Sequence, residues 1–357
     1  MKRPMLAVVG ALALLGALSG CGSGGGSGAA SSVRKDQPAK DASTDAKPLE
    51  TQVKVRFGLL PNVNGAPLYL AQAKGYFEEE NLAVEIVNAG TLVDAQPLLA
   101  TGRLDAVYGG AAAAFFNSLA NGGDVKYVAG AGQSPKGGPA SAIVALADAG
   151  IKDAADLKGK KIGTPGGNAG ISAFYVSKLL AQADLTIADV TLVNLGLPDG
   201  LAALTNGAVD AAISSGPLLT QALDAGTQVI VGDMDKVLES GNGGGFIFGP
   251  TLLKSDRRAG VAVLRALLRA TRQDLQGDYL QDPAIVQTLA TDTQSPVAVI
   301  ENTPPPTFDR DLKLKPNVFQ EMQTFWRGQK VITNARNLTQ KEIYDGTLLQ
   351  LALASMN

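Results

Sequence analysis

The sequence predicts an α/β protein of two α/β lobes joined by a hinge with two crossings. Three observations carry this. From Val53 onward, short apolar strands alternate with helical stretches, the pattern of layered α/β architectures. The segment Leu99-Ala100-Thr101-Gly102-Arg103-Leu104-Asp105-Ala106-Val107 returns as Leu204-Thr205-Asn206-Gly207-Ala208-Val209-Asp210-Ala211-Ala212. Two glycine-rich stretches with few side chains to pack, 133–139 and 240–245, mark where the chain would pass between lobes. Placing the crossings there sets residues 53–138 plus 246–357 as the first lobe and 139–245 as the second.

Ahead of the lobes, Lys2 and Arg3 precede an apolar run from Met5 to Leu18. That run has the length of a signal-peptide core and falls short of the roughly 20 residues that span a bilayer. Leu18-Ser19-Gly20-Cys21 then resembles the lipobox of bacterial lipoproteins. The resemblance implies that residues 1–20 are a signal peptide removed before Cys21. A lipid on the Cys21 thiol would anchor the protein to the cell membrane on its extracytoplasmic side. Residues 21–52, rich in Gly, Ser, Ala, Lys and Asp, show no apolar period and are expected to be a flexible linker.

Composition narrows the function classes. Apolar residues make up 45% of the chain, enough for a sizeable core. Lys plus Arg number 31 against 33 Asp plus Glu, which excludes the basic surface of a nucleic-acid binder. Without Lys2 and Arg3 the balance is 29 against 33, a net of −4. There is no histidine, so imidazole base catalysis is excluded and Zn²⁺ loses its commonest ligand. Cys21 is the only cysteine, so neither an intramolecular disulfide nor a thiolate cluster can form. No cofactor or metal is expected, and the protein is expected to be a monomer.

Val53 to Leu59 alternates with period two and predicts a first strand, followed by the loop Pro61-Asn62-Val63-Asn64-Gly65. Pro67 suits the start of a helix and Gly75 its end. A second strand, Ala83 to Val87, leads to Thr91 as a helix N-cap and Gly102 as that helix's stop. Asp105 and Asp210, at the same place in the two echoed segments, are read as turn-formers bonding backbone at a strand entrance. Beyond the second crossing the chain is mainly helical. Leu264, Leu267, Leu268, Thr271 and Leu275 share one face, and Arg265, Arg269 and Arg272 are expected on a solvated one. Trp326 is expected in the core with Phe319, Met322 and Phe325.

The most specific local feature is Asp156 to Ser172. A strand around Lys161–Thr164 feeds the turn Pro165-Gly166-Gly167-Asn168-Ala169-Gly170, and a helix follows with Ile171, Phe174, Tyr175 and Leu179 as its apolar stripe. The glycines would admit a ligand close to the backbone, facing free N–H groups at the helix start. The segment lacks both the Walker A ending and a GxGxxG fingerprint.

With Ala66-Pro67-Leu68-Tyr69-Leu70-Ala71, Lys74-Gly75-Tyr76-Phe77, Asp156 to Gly170 and Gly207 to Pro217, the chain resembles the periplasmic binding proteins for nitrate, taurine, aliphatic sulfonates and thiamine-pyrimidine precursors. The resemblance implies a type II periplasmic binding fold that captures a small-molecule solute in a ligand cleft between the two lobes. It also implies delivery to an ABC permease and its ATPase. Ligand-facing loops then contribute Asn62, Asn64, Gly90, Thr91, Tyr108, Gly110, Ala111, Thr164, Gly166, Gly167, Asn168, Ala169, Ser172, Ser215 and Gly216, all beyond strand ends. Where many relatives carry an aromatic and an acid, this chain has Ser215-Gly216-Pro217, so substrate identity does not carry over. These loops hold no charged side chain. An anion would be held by helix N-termini and hydroxyls, and a neutral solute by Asn62, Asn64 and Asn168. A dehydratase or pyrimidine-forming enzyme on the same fold, and a ligand-sensing lipoprotein, are the alternatives. A cleft without His, Cys or carboxylates weighs against the enzyme.

Overall fold

The computed structural model describes residues 42–357 apart from 90, 91, 131, 134, 136, 137, 238–242, 335 and 357. The expected signal peptide, Cys21, Gly90, Thr91 and parts of both expected crossings lie outside the described residues. The chain enters through α1 (Ala42–Asp45), β1 (Val53–Leu59), α2 (Ala66–Ala73), α3 (Tyr76–Glu79), β2 (Leu82–Asn88), α4 (Leu92–Ala100), β3 (Ala106–Gly110), α5 (Ala113–Ala120) and β4 (Lys126–Gly130). It crosses to β5 (Ser141–Leu146), β6 (Lys161–Thr164), α6 (Ile171–Ala181), β7 (Thr191–Asn194), α7 (Leu197–Thr205), β8 (Ala211–Ser215), α8 (Gly216–Asp224) and β9 (Gln228–Asp233). It returns through β10 (Gly244–Phe248) to α9 (Arg257–Asp274), α10 (Pro283–Asp292), α11 (Val297–Asn302), α12 (Val318–Gly328), α13 (Gln340–Ile343) and α14 (Thr347–Ser355). Among the described residues no helix is long and apolar enough to cross a membrane.

Two five-stranded sheets result, ordered β2-β1-β3-β10-β4 and β7-β6-β8-β5-β9. In each, the fourth strand is antiparallel to both neighbours. That strand is the first one after a crossing, so each lobe is closed by chain arriving from the other. Both sheets are covered by helices, and β10 is accordingly buried along its whole length.

The echoed segments do the same job in both lobes. Gly102 and Gly207 end their helices in the left-handed conformation, at φ 70° and 71°. The Asp105 carboxylate accepts the Arg56 N–H at 2.9 Å, and the Asp210 carboxylate accepts the Lys161 N–H at 2.8 Å. Each aspartate thus bonds the backbone of the neighbouring parallel strand, within β1 in one lobe and at the first residue of β6 in the other.

In the first lobe, α9 packs against α2, α3 and α14, and its Leu264, Leu267, Leu268 and Thr271, with Leu275 just past its end, are buried as their spacing predicts. A second cluster gathers aromatic rings: Tyr127 stands 5.0 Å from Phe115 and 4.7 Å from Phe319, and Phe116 stands 5.7 Å from Trp326.

Three expectations are corrected. The end of the expected flexible linker is packed: Leu49 is buried against the first-lobe core, and Asp45 pairs with Arg257 at 2.7 Å. Arg265 donates to the Ala46 carbonyl, Arg258 to that of Pro48, and the Asn81 amide to that of Leu49. A polar segment without apolar period is held here through its backbone, which composition does not display. The α9 arginines do not form a merely solvated face. Arg265 is 7% exposed and its Nε lies 2.9 and 3.0 Å from the two Glu80 oxygens. Arg269 pairs with Glu79 over the Tyr76 ring, and Arg272 pairs with Asp311 at 2.7 Å. Finally, Gly244 and Gly245, assigned by sequence to the second lobe, are the first residues of β10 in the first-lobe sheet.

Candidate ligand cleft

A cavity of about 160 Å³ lies where the two lobes meet, room for about five water molecules. The first lobe contributes Leu60, Asn62, Asn64, Tyr108, Gly109, Gly110, Gly132, Gln133 and Gly244. The second contributes Ala140, Ser141, Ile171, Tyr175 and Asp235. A larger hollow of about 450 Å³ is lined by second-lobe residues alone, among them Leu179, Gln182 and Lys236. Only a site shared by both lobes couples binding to their relative position, so the junction cavity is the candidate.

Of the residues singled out by sequence, Asn62, Asn64, Tyr108 and Gly110 line this cavity. They differ in what they offer. The Asn62 side chain is consumed locally: its oxygen accepts the Asn64 N–H at 2.9 Å and its amide donates to the Leu60 carbonyl at 2.8 Å. That is an N-cap, and it shapes the loop. The Asn64 side chain, in contrast, has no hydrogen bond to another described residue. Tyr108 rests on Phe246 at 5.0 Å, and burial pushes its phenol pKa up against the opposing effect of a backbone hydrogen bond at Gly132. Tyr175, from the other lobe, is also raised, first by burial and then by the negative charge of Asp235.

Ala111, Thr164, Gly166, Gly167, Asn168, Ala169, Ser172, Ser215 and Gly216 do not line the cavity. The glycine loop after β6 meets the opposite lobe instead. A Cβ on Gly166, whose φ is +79°, would come within 2.8 Å of Val93 on α4. The Asn168 side chain is exposed, while its carbonyl accepts the Trp326 indole N–H at 3.1 Å. A Cβ on Gly216 would touch Val63 of the first lobe at 3.4 Å, and a Cβ on Gly110 would fall 2.7 Å from Ile171 of the second. The space these glycines vacate is filled by the other lobe. Thr164 and Ser214 are wholly buried at the ends of adjacent strands, with hydroxyls lacking a partner among the described residues. Each such orphan costs about 1–3 kcal/mol.

The lobes also touch away from the cavity, through the C-terminal helices. Phe174 on α6 packs 5.7 Å from Phe325 on α12, Lys178 pairs with Glu321 at 2.6 Å, and the hydroxyls of Thr220 and Thr303 lie 3.2 Å apart. Trp326 is therefore both core and interlobe contact.

Sequence reasoning missed Asp235. Its carboxylate accepts the Ala140 N–H at 2.6 Å and the Ser141 N–H at 3.3 Å, tying the start of the first crossing's far side to the approach of the second. The expectation of a cleft without carboxylates is corrected by this residue. It follows β9 in a short helical turn with no motif of its own, so no local pattern could have flagged it.

The alkanesulfonate-binding protein SsuA of Xanthomonas axonopodis pv. citri, in complex with MOPS, shares this fold at a TM-score of 0.68 and 21% identity, over 83% of this chain and 99% of its own. The periplasmic nitrate-binding protein NrtA of Synechocystis PCC 6803 matches at a TM-score of 0.68 and 14% identity, over 87% and 90%. By sequence, the 4-amino-5-hydroxymethyl-2-methylpyrimidine phosphate synthase of Aspergillus parasiticus is 34% identical over 149 residues. That match covers 42% of this chain and 41% of the synthase, so the chain spans about two fifths of the length of this curated relative. Residues 62–274, more than half of the chain, match the model of one family. The chain belongs to the NMT1/THI5-like family and has the two-lobed fold of the periplasmic binding proteins.

Proposed function

We propose that this protein is the extracytoplasmic solute-binding component of an ABC importer. It captures a small molecule between its lobes and presents the closed form to a membrane permease and its ATPase. The observation that carries the reading is the junction cavity, walled by both lobes and small enough for one compact solute. Specificity in such sites comes from a few convergent polar groups in a largely apolar cleft. Closure requires a ligand that binds the closed arrangement better than any other. Cys21 would supply the lipid anchor, and the remaining tether would let the lobes range over the membrane surface.

The test is a thermal-shift screen of the full-length chain against sulfonates, nitrate and aminopyrimidines. A ligand specific for the folded form raises the melting temperature in a concentration-dependent way. A second reading, a pyrimidine-forming enzyme, is favoured by the 34% identity to a named synthase. Chromatographic detection of a product from any stabilising ligand would favour the enzyme. Stabilisation without turnover favours the importer.

A further inference from the structure

We infer that α12 is a latch between the lobes: its Phe325 and Trp326 grip the second lobe outside the solute cavity and set how readily the lobes part, whether or not a solute is bound. The inference needs only the two-lobed fold and does not rest on the importer reading. Its first ground is the extent of the contact. Phe174 of α6 is 1% exposed, yet every other buried member of the cluster that encloses it, Phe116, Phe319 and Met322 among them, comes from the first lobe. Its ring lies 5.7 Å from that of Phe325. Trp326 is fully buried, and its indole N–H donates to the Asn168 carbonyl of the glycine loop at 3.1 Å. At the rim, Lys178 lies 5.3 Å over the Phe174 ring and 2.6 Å from Glu321.

Lobe separation must undo these contacts together. Phe174 would leave its apolar enclosure and the Trp326 N–H would lose its acceptor, so the contact weights the closed arrangement directly. None of Asn168, Phe174, Lys178, Glu321, Phe325 and Trp326 lines the cavity. The two sites nevertheless share α6. This helix carries two neighbouring i,i+4 rows: Ile171 and Tyr175 line the cavity, while Phe174 and Lys178 meet α12. A movement of α6 that loosens one row displaces the other, so the latch is coupled to the cavity without touching it. The C-cap of α11, Thr303, also meets the second lobe, 3.2 Å from Thr220 of α8. That hydroxyl pair lacks the aromatic packing of α12, and the larger share of the grip falls to α12.

Trp326 is the only tryptophan of the chain, so its fluorescence reports the latch without a label. The experiment follows emission wavelength, lifetime and acrylamide quenching of the full-length chain at low ionic strength with no solute added, and the radius of gyration by small-angle scattering. The variants are Phe325→Ala, which removes the ring facing Phe174, and Lys178→Glu, which sets two carboxylates against each other at an exposed pair and puts folding at little risk. The parent is expected to show a shielded Trp326. In both variants emission should shift to longer wavelength, quenching should rise and the radius of gyration should grow. Loss of the ring pair should raise the ratio of parted to closed molecules, read from lifetime amplitudes, by roughly two- to ten-fold. Lys178→Glu combined with Glu321→Lys should restore the parent values, and added salt should diminish the effect of the single charge reversal. A parent whose Trp326 is already open to acrylamide overturns the latch. So do variants that match the parent, and a charge reversal that the swap fails to restore. A rise in quenching for Phe325→Ala at an unchanged radius of gyration is local exposure and overturns it as well. Should Phe325→Ala not fold, the charge reversal and its swap decide alone. No solute enters the measurement, so none of these outcomes bears on the importer reading.

Discussion

Gly110→Ala places a single methyl group between the lobes and nowhere else. The added Cβ would meet three atoms, Ile171 Cδ1 at 2.7 Å, Cγ2 at 2.9 Å and Cβ at 3.2 Å, all from the second lobe. Carbon contacts settle near 3.5–4.0 Å, so the overlap is severe at two of the three. Gly110 has no left-handed backbone requirement, and the first lobe alone offers this methyl group no obstruction within its three nearest contacts. Overpacking of this kind costs about 1–3 kcal/mol. Charged to the closed arrangement alone, that is a loss of roughly 5- to 150-fold in ligand affinity. Melting without ligand should change little, and small-angle scattering should show a larger radius of gyration as the lobes part. Ile171→Ala removes Cδ1 and Cγ2, the two severe overlaps, and leaves only Cβ, so the double variant should recover most of the lost affinity. Unchanged affinity and scattering in Gly110→Ala, or a double variant no better than the single, would refute the account of the lobes closing on this contact.

Two further outcomes concern stability and are read by denaturation. Arg265→Ala strands the Glu80 carboxylate beside α9 and should cost about 3 kcal/mol, whereas Arg265→Met with Glu80→Met should cost little, because a well-packed apolar pair replaces a buried ion pair. Asp292 ends α10, where a negative charge opposes the helix dipole, and burial raises its carboxyl pKa above the ordinary 3.8. A raised folded pKa contributes stability that is full below the unfolded value and lost as pH rises through the folded one. Asp292→Asn should therefore raise the melting temperature at pH 7 and leave it unchanged near pH 2.5; equal gains at both pH values would exclude the charge as the cause.

Much of the fold was legible because it rests on local periodicity and turn chemistry. Val53–Leu59 alternates and is a strand, Pro67 and Gly75 bracket a helix, and the Gly102 and Gly207 echoes mark equivalent places in two lobes. The apolar face of α9 followed from spacing alone. The arginine partners did not, since Glu79, Glu80 and Asp311 are far away in sequence and salt bridges have no local signature.

The candidate site divides along the same line. Asn62, Asn64, Tyr108 and Gly110 were recoverable because strand ends of an open sheet face the cleft. The glycine loop after β6 was read as open to a ligand because glycine reports only that something comes close. Whether that something is a solute or Val93 of the opposite lobe is settled by how two lobes approach, and no window of sequence contains that. Asp235 is the converse case: an unremarkable residue in a short turn, brought to the cavity wall by a fold that sets it against Ala140 and Ser141. By itself the sequence determined the elements, their order and the two-lobed architecture, for these follow from contacts between near neighbours. The tertiary structure alone decided which groups share the cavity and which lobe fills each gap, because those contacts join residues distant along the chain.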